Sequence, residues 1–144
     1  MKNTINKYFE VKVKMQKTLE DGQQKKVSEQ YVVQAATFGE AEQRVTECLK
    51  SYIEGEFDVT DIKIAGYSQI VDGGQDADKF FKAKVTFVAL DETTGKEKKT
   101  SEQYLVQSGT LESAESDVKA FLNDPAITIS SISETAILDV FPLD

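Results

Sequence analysis

The sequence predicts an α+β protein of two ββαβ repeats, with two antiparallel sheets that are each covered by one helix. The first observation is an internal duplication. Residues 25–38 (KKVSEQYVVQAATF) and 98–111 (KKTSEQYLVQSGTL) share nine identities in fourteen positions at a constant offset of 73. The second is that alternating apolar and polar residues precede each copy, and the third is that a capped amphipathic segment follows each copy.

The duplication also predicts how the chain is divided. Repeat one spans 7–71, an acidic linker (DGGQDADK) spans 72–79, and repeat two spans 80–141. A repeat of about 70 residues buries only a marginal core by itself. We therefore expect residues 1–144 to form a single domain in which the repeats pack with pseudo-twofold symmetry.

The first strand of each repeat, residues 8–15 and 80–87, alternates apolar and polar side chains, as a half-buried strand does. A turn at Glu20–Gly22, or around Gly95, leads to the second strand, so each pair reads as a β-hairpin. On the second strand Tyr31 shares a face with Val33 and Ala35. This parity places Tyr31 and its counterpart Tyr104 in the core.

Each helix begins at a threonine. Thr37 and Glu40 have the spacing of a reciprocal capping box, whereas Thr110 is followed at that spacing by Ser113, which predicts a cap without the reciprocal bond. Two apolar stripes at spacings of three and four follow these caps. They comprise Phe38, Ala41, Val45, Cys48, Leu49 and Tyr52 in the first helix, and Leu111, Ala114, Val118, Phe121 and Leu122 in the second. We expect the first helix to end near Gly55 and the second at residues 123–125.

The last strand of each repeat changes its apolar parity at the same place. The change falls at Thr60 and Asp61 in repeat one, and at Ser130 and Ser131 in repeat two. One extra residue moves all later side chains to the other face, so the sequence predicts a β-bulge or bend in each copy. Between Phe57 and Leu122 the predicted order is four strands and a helix. This order resembles the ββββα repeat of the Whirly and PC4-like single-stranded nucleic-acid binders, in a circularly permuted form.

The composition argues against most enzyme classes. The chain has no histidine and one cysteine, Cys48, and it lacks P-loop, dinucleotide-binding and nucleophile-elbow motifs. Carboxylates cluster at 54–61 and 72–78, but without the order of an EF-hand loop, so we interpret them as solvated loop residues. We expect a non-enzymatic protein with no metal and no cofactor.

The predicted location is the cytoplasm. No apolar run has the length of a signal peptide or membrane span, and one cysteine cannot form an intrachain disulfide. We expect no membrane partner, and the sequence leaves oligomerisation open.

Charge alternates along the chain. Residues 1–34, 35–78, 79–107 and 108–144 carry balances of +3, −7, +2 and −6, which sum to the net charge of −8. The lysine-bearing hairpins therefore suggest binding of single-stranded nucleic acid, with lysines on phosphates and an aromatic ring on a base. The candidate residues are Tyr8, Lys12, Lys14, Gln30, Phe80, Lys82, Lys84 and Gln103.

Two alternatives remain open at this point. A lysine-bearing face also occurs on solvated sheets, where lysine discourages aggregation. The second alternative is an adaptor or inhibitor that binds a protein partner through its acidic helices or a sheet edge. The duplicated Ser-Glu-Gln-Tyr motif (residues 28–31 and 101–104) favours an architectural role, because an active site usually needs one asymmetric group of residues.

Three strings carry a resemblance to a known family: YFEVKVKMQKTLEDGQQKKVSEQYVV, GEFDVTDIK and SISETAILDVF. In these the chain resembles a bacterial family of small acidic proteins of unknown function, found in Bacteroides-type bacteria and their mobile elements. The resemblance covers nearly the whole length, and it implies no activity and no functional residues.

Overall fold

A computed structural model describes residues 6–74 and 76–143. Residues 1–5, residue 75 of the predicted linker and residue 144 lie outside the described residues. The helices are α1 (Phe38–Leu49) and α2 (Leu111–Leu122). The strands are β1 (Lys7–Thr18), β2 (Gln24–Ala35), β3 (Phe57–Ala65), β4 (Tyr67–Asp72), β5 (Lys79–Leu90), β6 (Glu97–Ser108), β7 (Ile127–Glu134) and β8 (Ile137–Phe141).

The strands form two four-stranded sheets with the orders β3-β1-β2-β8 and β4-β6-β5-β7. The chain divides into two compact units, and each contains one sheet and the helix that packs on it. The first unit comprises residues 6–65 and 136–143, and the second comprises residues 66–74 and 76–135. The predicted α+β class with two similar halves is confirmed.

The last strand of each repeat belongs to the other repeat's sheet. β4 follows β3 after Gly66 alone, yet it pairs with β6 of the second sheet. β8 follows β7 after residues 135–136, and it pairs with β2 of the first sheet. The tightest common hairpin turns need two residues, so Gly66 alone does not return β4 beside β3. The repeats thus exchange their final strands.

This exchange corrects two expectations. Both exchanged strands run parallel to their neighbours, so the sheets are mixed rather than antiparallel. The predicted order from Phe57 to Leu122 exists, but β3 lies in the first sheet and β4, β5 and β6 lie in the second. These four strands therefore do not form one sheet.

One face of each sheet packs against its helix. In the first unit Phe9, Val11 and Val13 of β1 and Tyr31 of β2 join the buried side of α1. In the second unit Phe81, Ala83, Val85 and Tyr104 join α2 in the same way. The predicted core positions of both tyrosines are confirmed. We call the opposite side of each sheet its outer face.

The predicted bulges are confirmed in both units. Pairing between β1 and β3 passes from Lys12 with Asp61 to Val13 with Val59, which leaves Thr60 without a partner strand residue. Pairing between β5 and β7 skips Ser130 in the same way. The two bulges lie 70 residues apart, at equivalent positions of the two repeats, so the bulge is part of the repeated architecture.

Both helices begin at the predicted threonines, but their caps differ from expectation. Thr37 Oγ1 accepts from Glu40 N at 3.1 Å, while Glu40 Oε1 accepts from Ala36 N at 2.9 Å, one residue before the expected donor. In α2 the reciprocal bond is present, since Ser113 Oγ accepts from Thr110 N at 3.2 Å. Its predicted absence was wrong because a serine hydroxyl also accepts a hydrogen bond.

The helix ends are only partly as expected. α1 stops at Leu49, before Gly55, so Tyr52 lies beyond the helix instead of in its stripe. α2 ends at Leu122 and is capped by Asn123, which adopts a left-handed backbone with φ 48°. None of the helices in the described ranges is long and apolar enough to cross a membrane.

Candidate functional site

The strand register places all eight predicted site residues on the two outer faces. Lys12 lies opposite Gln30, and Lys84 lies opposite Gln103. Lys14 lies opposite Ser28, Tyr8 opposite Gln34 and Phe80 opposite Gln107. Each face therefore contains one lysine and glutamine pair at equivalent positions of the two hairpins.

Part of each outer face is not open to solvent. Val32 and Leu105 are fully buried, and Phe80 is only 3% exposed. The ring of Phe80 therefore has no free side on which a base can stack, and its predicted role in base stacking is corrected. A signal for this burial was present in the sequence, because positions 32 and 105 are both apolar on strands that otherwise alternate there with polar residues.

Lys82 also has a different environment from that expected. Its side chain is half-buried, and its Nζ lies 5.7 Å from the centroid of the Tyr67 ring. At that distance an ammonium is attracted to the face of an aromatic ring. Lys82 therefore contacts β4 within the second sheet, in addition to contributing a positive charge to the outer face.

The surroundings of the exposed lysines differ between the units. In the first unit Lys12 lies between Gln30 and Asp61, and Lys14 lies between Ser28 and Asp58. A carboxylate thus accompanies each lysine across the neighbouring strand. The outer face of the first unit carries both signs of charge in alternation.

In the second unit the equivalent neighbours are uncharged. Lys84 lies between Gln103 and Ser131, and Thr86 lies between Ser101 and Thr128. Thr86 Oγ1 is 2.6 Å from Ser130 Oγ and 3.3 Å from Ser101 Oγ. We call this region the Lys84 patch; its members are Lys84, Thr86, Lys99, Ser101, Gln103 and Ser131. Lys99 lies opposite Val88, at the next position on this face beyond the Thr86 and Ser101 pair. Lys84 has no carboxylate among its cross-strand neighbours, whereas Lys99 has Glu97 two residues away on the same face of β6.

The duplicated Ser-Glu-Gln-Tyr motif has a structural explanation. The Tyr31 hydroxyl donates to Glu29 Oε1 at 2.9 Å, and Glu29 Oε2 accepts from Lys17 Nζ at 2.7 Å. In the second unit the Tyr104 hydroxyl donates to Glu102 Oε2 at 3.2 Å. In each repeat the glutamate lies two residues before the tyrosine, on the same face of the strand, and satisfies a hydroxyl at the edge of the core.

Replacing Tyr31 by phenylalanine is expected to lower the free energy of unfolding by about 1–2 kcal/mol, because a hydrogen bond to a charged acceptor is lost. Burial, and then the contact with Glu29, raise the pKa of Tyr31. The folded state thus holds this proton more tightly than the unfolded chain does. The resulting stability is complete below the unfolded pKa of about 10 and is lost as the pH rises above it.

Urea denaturation of the wild type and of Tyr31→Phe at pH 8 and above pH 10 measures both effects. The variant should be less stable at pH 8 and should lose less stability between the two pH values. Tyr52→Phe provides the control, since Tyr52 is 68% exposed. An alkaline loss of equal size in the wild type and in Tyr31→Phe would exclude the assigned role of this hydroxyl.

A second duplicated residue bonds the segments that follow the exchanged strands. Gln34 Oε1 accepts from Leu143 N at 3.0 Å, just after β8, and its counterpart Gln107 donates from Nε2 to Ala77 O at 2.9 Å, beyond β4. The sequence contains both glutamines at the end of the repeated motif. Their role was not predicted, because the partner segments follow strands that were assigned to the wrong sheet.

Equivalent residues of the two helices have different hydrogen-bond partners. Arg44 of α1 donates to the carbonyls of Gln34 at 2.9 Å, Phe141 at 3.3 Å and Pro142 at 3.1 Å. The equivalent residue of α2 is Asp117, whose Oδ2 accepts from the buried Ser108 hydroxyl at 3.0 Å. A Cβ added to Gly73, just after β4, would lie 2.9 Å from the same oxygen. The repeats have thus diverged at this position.

The clustered carboxylates at 54–61 and 72–78 do not assemble a metal centre in the described ranges. No group of three or more histidine, cysteine, aspartate or glutamate side chains there has the geometry to hold a metal ion.

The comparisons with known proteins give one match. The model of a domain of unknown function, DUF4494, matches residues 7–143, which includes all ten secondary-structure elements. Neither the curated proteins nor the solved structures gave a match. Because the match extends over nearly the whole chain, the protein belongs to the family of the domain of unknown function DUF4494.

Proposed function

We propose that this protein binds single-stranded nucleic acid through the Lys84 patch and catalyses no reaction. The observation that carries the proposal is the surroundings of Lys84, whose cross-strand neighbours are the amide Gln103 and the hydroxyl Ser131, with Lys99 on the same face of β6. Lysine neutralises phosphates, and serine, threonine and glutamine side chains donate hydrogen bonds to phosphate oxygens.

The first unit serves as an internal comparison. It has the same strands, but Asp58 and Asp61 accompany its lysines. The charges of these two lysines and two aspartates balance, so a polyanion would be attracted less to the first unit than to the second. With a net charge of −8, the rest of the surface opposes non-specific coating by nucleic acid, which favours one restricted site.

The chemistry of the patch also defines the kind of binding. Its six members include no aromatic residue, so contacts to phosphates rather than base stacking provide the affinity. Two lysines predict weak, sequence-independent binding, with a slope of about −1.4 for log K against log salt on a single strand. We further propose a cytoplasmic, bacterial setting, which the family resemblance and the lone Cys48 support.

Exchanging the lysines of the patch for glutamates tests the proposal. Fluorescence anisotropy with a labelled single-stranded DNA or RNA of about 20 nucleotides in low salt is expected to give a Kd on the order of 100 µM. K84E/K99E should abolish this binding. K12E/K14E makes the same change of charge on the outer face of the first unit and should retain most of it.

Two results would contradict the proposal. One is no binding by the wild type up to about 1 mM, ten times the expected Kd. The other is an equal loss in K84E/K99E and K12E/K14E, which would show a general charge effect instead of a site.

A further inference from the structure

A cleft of about 520 Å³ lies in the first unit where β1 runs past the end of β3. Pairing between β1 and β3 ends at Met15 with Phe57, but pairing between β1 and β2 continues to Thr18 with Gln24. Within the described ranges, residues 16–18 therefore have a strand on one side only. Backbone groups along such an edge are available to pair with another extended chain.

Opposite charges line the two sides of this cleft. Lys14 and Lys26 come from the β1–β2 hairpin. Glu54 and Glu56 come from the loop before β3, and Asp58 comes from the beginning of β3. Among the residues that the structure describes, none of these five forms an ion pair within 4.0 Å. The five charged groups line the cleft, where they are available to a charged ligand.

The second repeat shows that folding does not require three of these five charges, although it keeps a lysine (Lys99) and an acid (Asp124) at the positions equivalent to Lys26 and Glu54. Thr86 stands at the position equivalent to Lys14, Ala126 at that of Glu56, and Thr128 at that of Asp58. The same three strands form there with the same bulge. The charges of Lys14, Glu56 and Asp58 are therefore specific to this cleft and are not required by the fold.

We propose that the cleft binds a short extended peptide segment that pairs with the free edge of β1 at residues 16–18. An acidic side chain of the peptide lies toward Lys14 and Lys26, and basic side chains lie toward Glu54, Glu56 and Asp58. Main-chain pairing supplies affinity in strand addition, while side-chain complementarity selects the sequence. A cleft of this volume is within the range of known ligand sites, about 300–1,000 Å³.

A terminally blocked, fluorescein-labelled peptide Lys-Val-Glu-Val-Lys-Val is the probe, since it presents alternating charges on one face of a strand. Titration with the full-length protein should give a Kd of about 100 µM, and K14T/D58T should weaken it about tenfold. This variant carries the residues of the second repeat, so its fold should be preserved. K119Q/E115Q removes one charge of each sign from α2 and should bind as the wild type does.

Hydrogen exchange gives a second readout. Binding of the probe should slow amide exchange within residues 16–18 in the wild type, because some of these amides gain partners. The proposal is overturned if the wild type does not bind at about 1 mM peptide, if K14T/D58T binds as well as the wild type, or if a bound peptide leaves exchange at 16–18 unchanged.

Discussion

Replacing Phe141 by alanine is expected to lower the free energy of unfolding of the first unit by about 3 kcal/mol, the usual cost of removing a buried phenylalanine ring. Phe141 is 9% exposed and lies in β8, the strand that repeat two contributes to the first sheet. Its ring stacks on Tyr31 with centroids 5.7 Å apart and on Tyr52 at 6.3 Å. The loss should therefore appear in a unit whose other strands come from repeat one.

Leu138→Ala is the matched control, since Leu138 lies in the same strand and is 52% exposed. It should change stability by less than about 0.5 kcal/mol. Urea denaturation combined with amide exchange would assign the effect, with Phe141→Ala expected to reduce protection in β2. Equal effects of the two substitutions would show that β8 is not packed as described.

The second large effect is expected at Arg44. Arg44→Met keeps most of the apolar stem but removes the donors to Gln34, Phe141 and Pro142. Three hydrogen bonds from a charged donor, of which those to Gln34 and Phe141 are part-buried, predict a loss of about 2–3 kcal/mol in the free energy of unfolding.

Gln43→Met is the control for Arg44→Met, because Gln43 is exposed on the same helix. Thermal or urea unfolding of both variants measures the difference. If Arg44→Lys is as stable as the wild type, a single positive charge is sufficient at this position. That result would contradict the assignment, because the planar set of donors would not be what holds β8.

Much of the fold was predictable because strand periodicity reports which side chains share a face. It identified the core side of both hairpins, the bulges at Thr60 and Ser130, and the burial of Tyr31 and Tyr104. A helix cap was predicted at both threonines. The accepting role of Ser113 was missed, since glutamate and glutamine are the usual partners in a capping box, and Glu40 bonds the amide of Ala36 instead of that of Thr37.

Periodicity does not identify the neighbour of a strand, and for this reason the exchange was missed. The sequence predicts extended chain on both sides of Gly66, but an alternating pattern is equally compatible with either sheet. Pairing partners depend on tertiary contacts. β8 pairs with β2 and β4 pairs with β6, and neither pair is joined by a short turn that the sequence could reveal.

The candidate site was predictable in its position but not in its asymmetry. The hairpin register follows from the alternation, so Lys12 and Lys84 were expected beside Gln30 and Gln103. The neighbours Asp61 and Ser131 come from β3 and β7 across the bulge, and the one-residue shift there decides which side chain lies beside each lysine. Burial of Phe80 likewise depends on the tertiary structure, which alternation alone does not reveal.

Cleavage of the chain between the repeats tests the strand exchange most directly. A protease site inserted at residue 75 would separate β1–β4 from β5–β8 after digestion. Because β4 pairs with β6 and β8 pairs with β2, the two fragments are expected to elute together from gel filtration in native buffer and to separate only in denaturant. Elution of two separate fragments in native buffer would contradict the exchange.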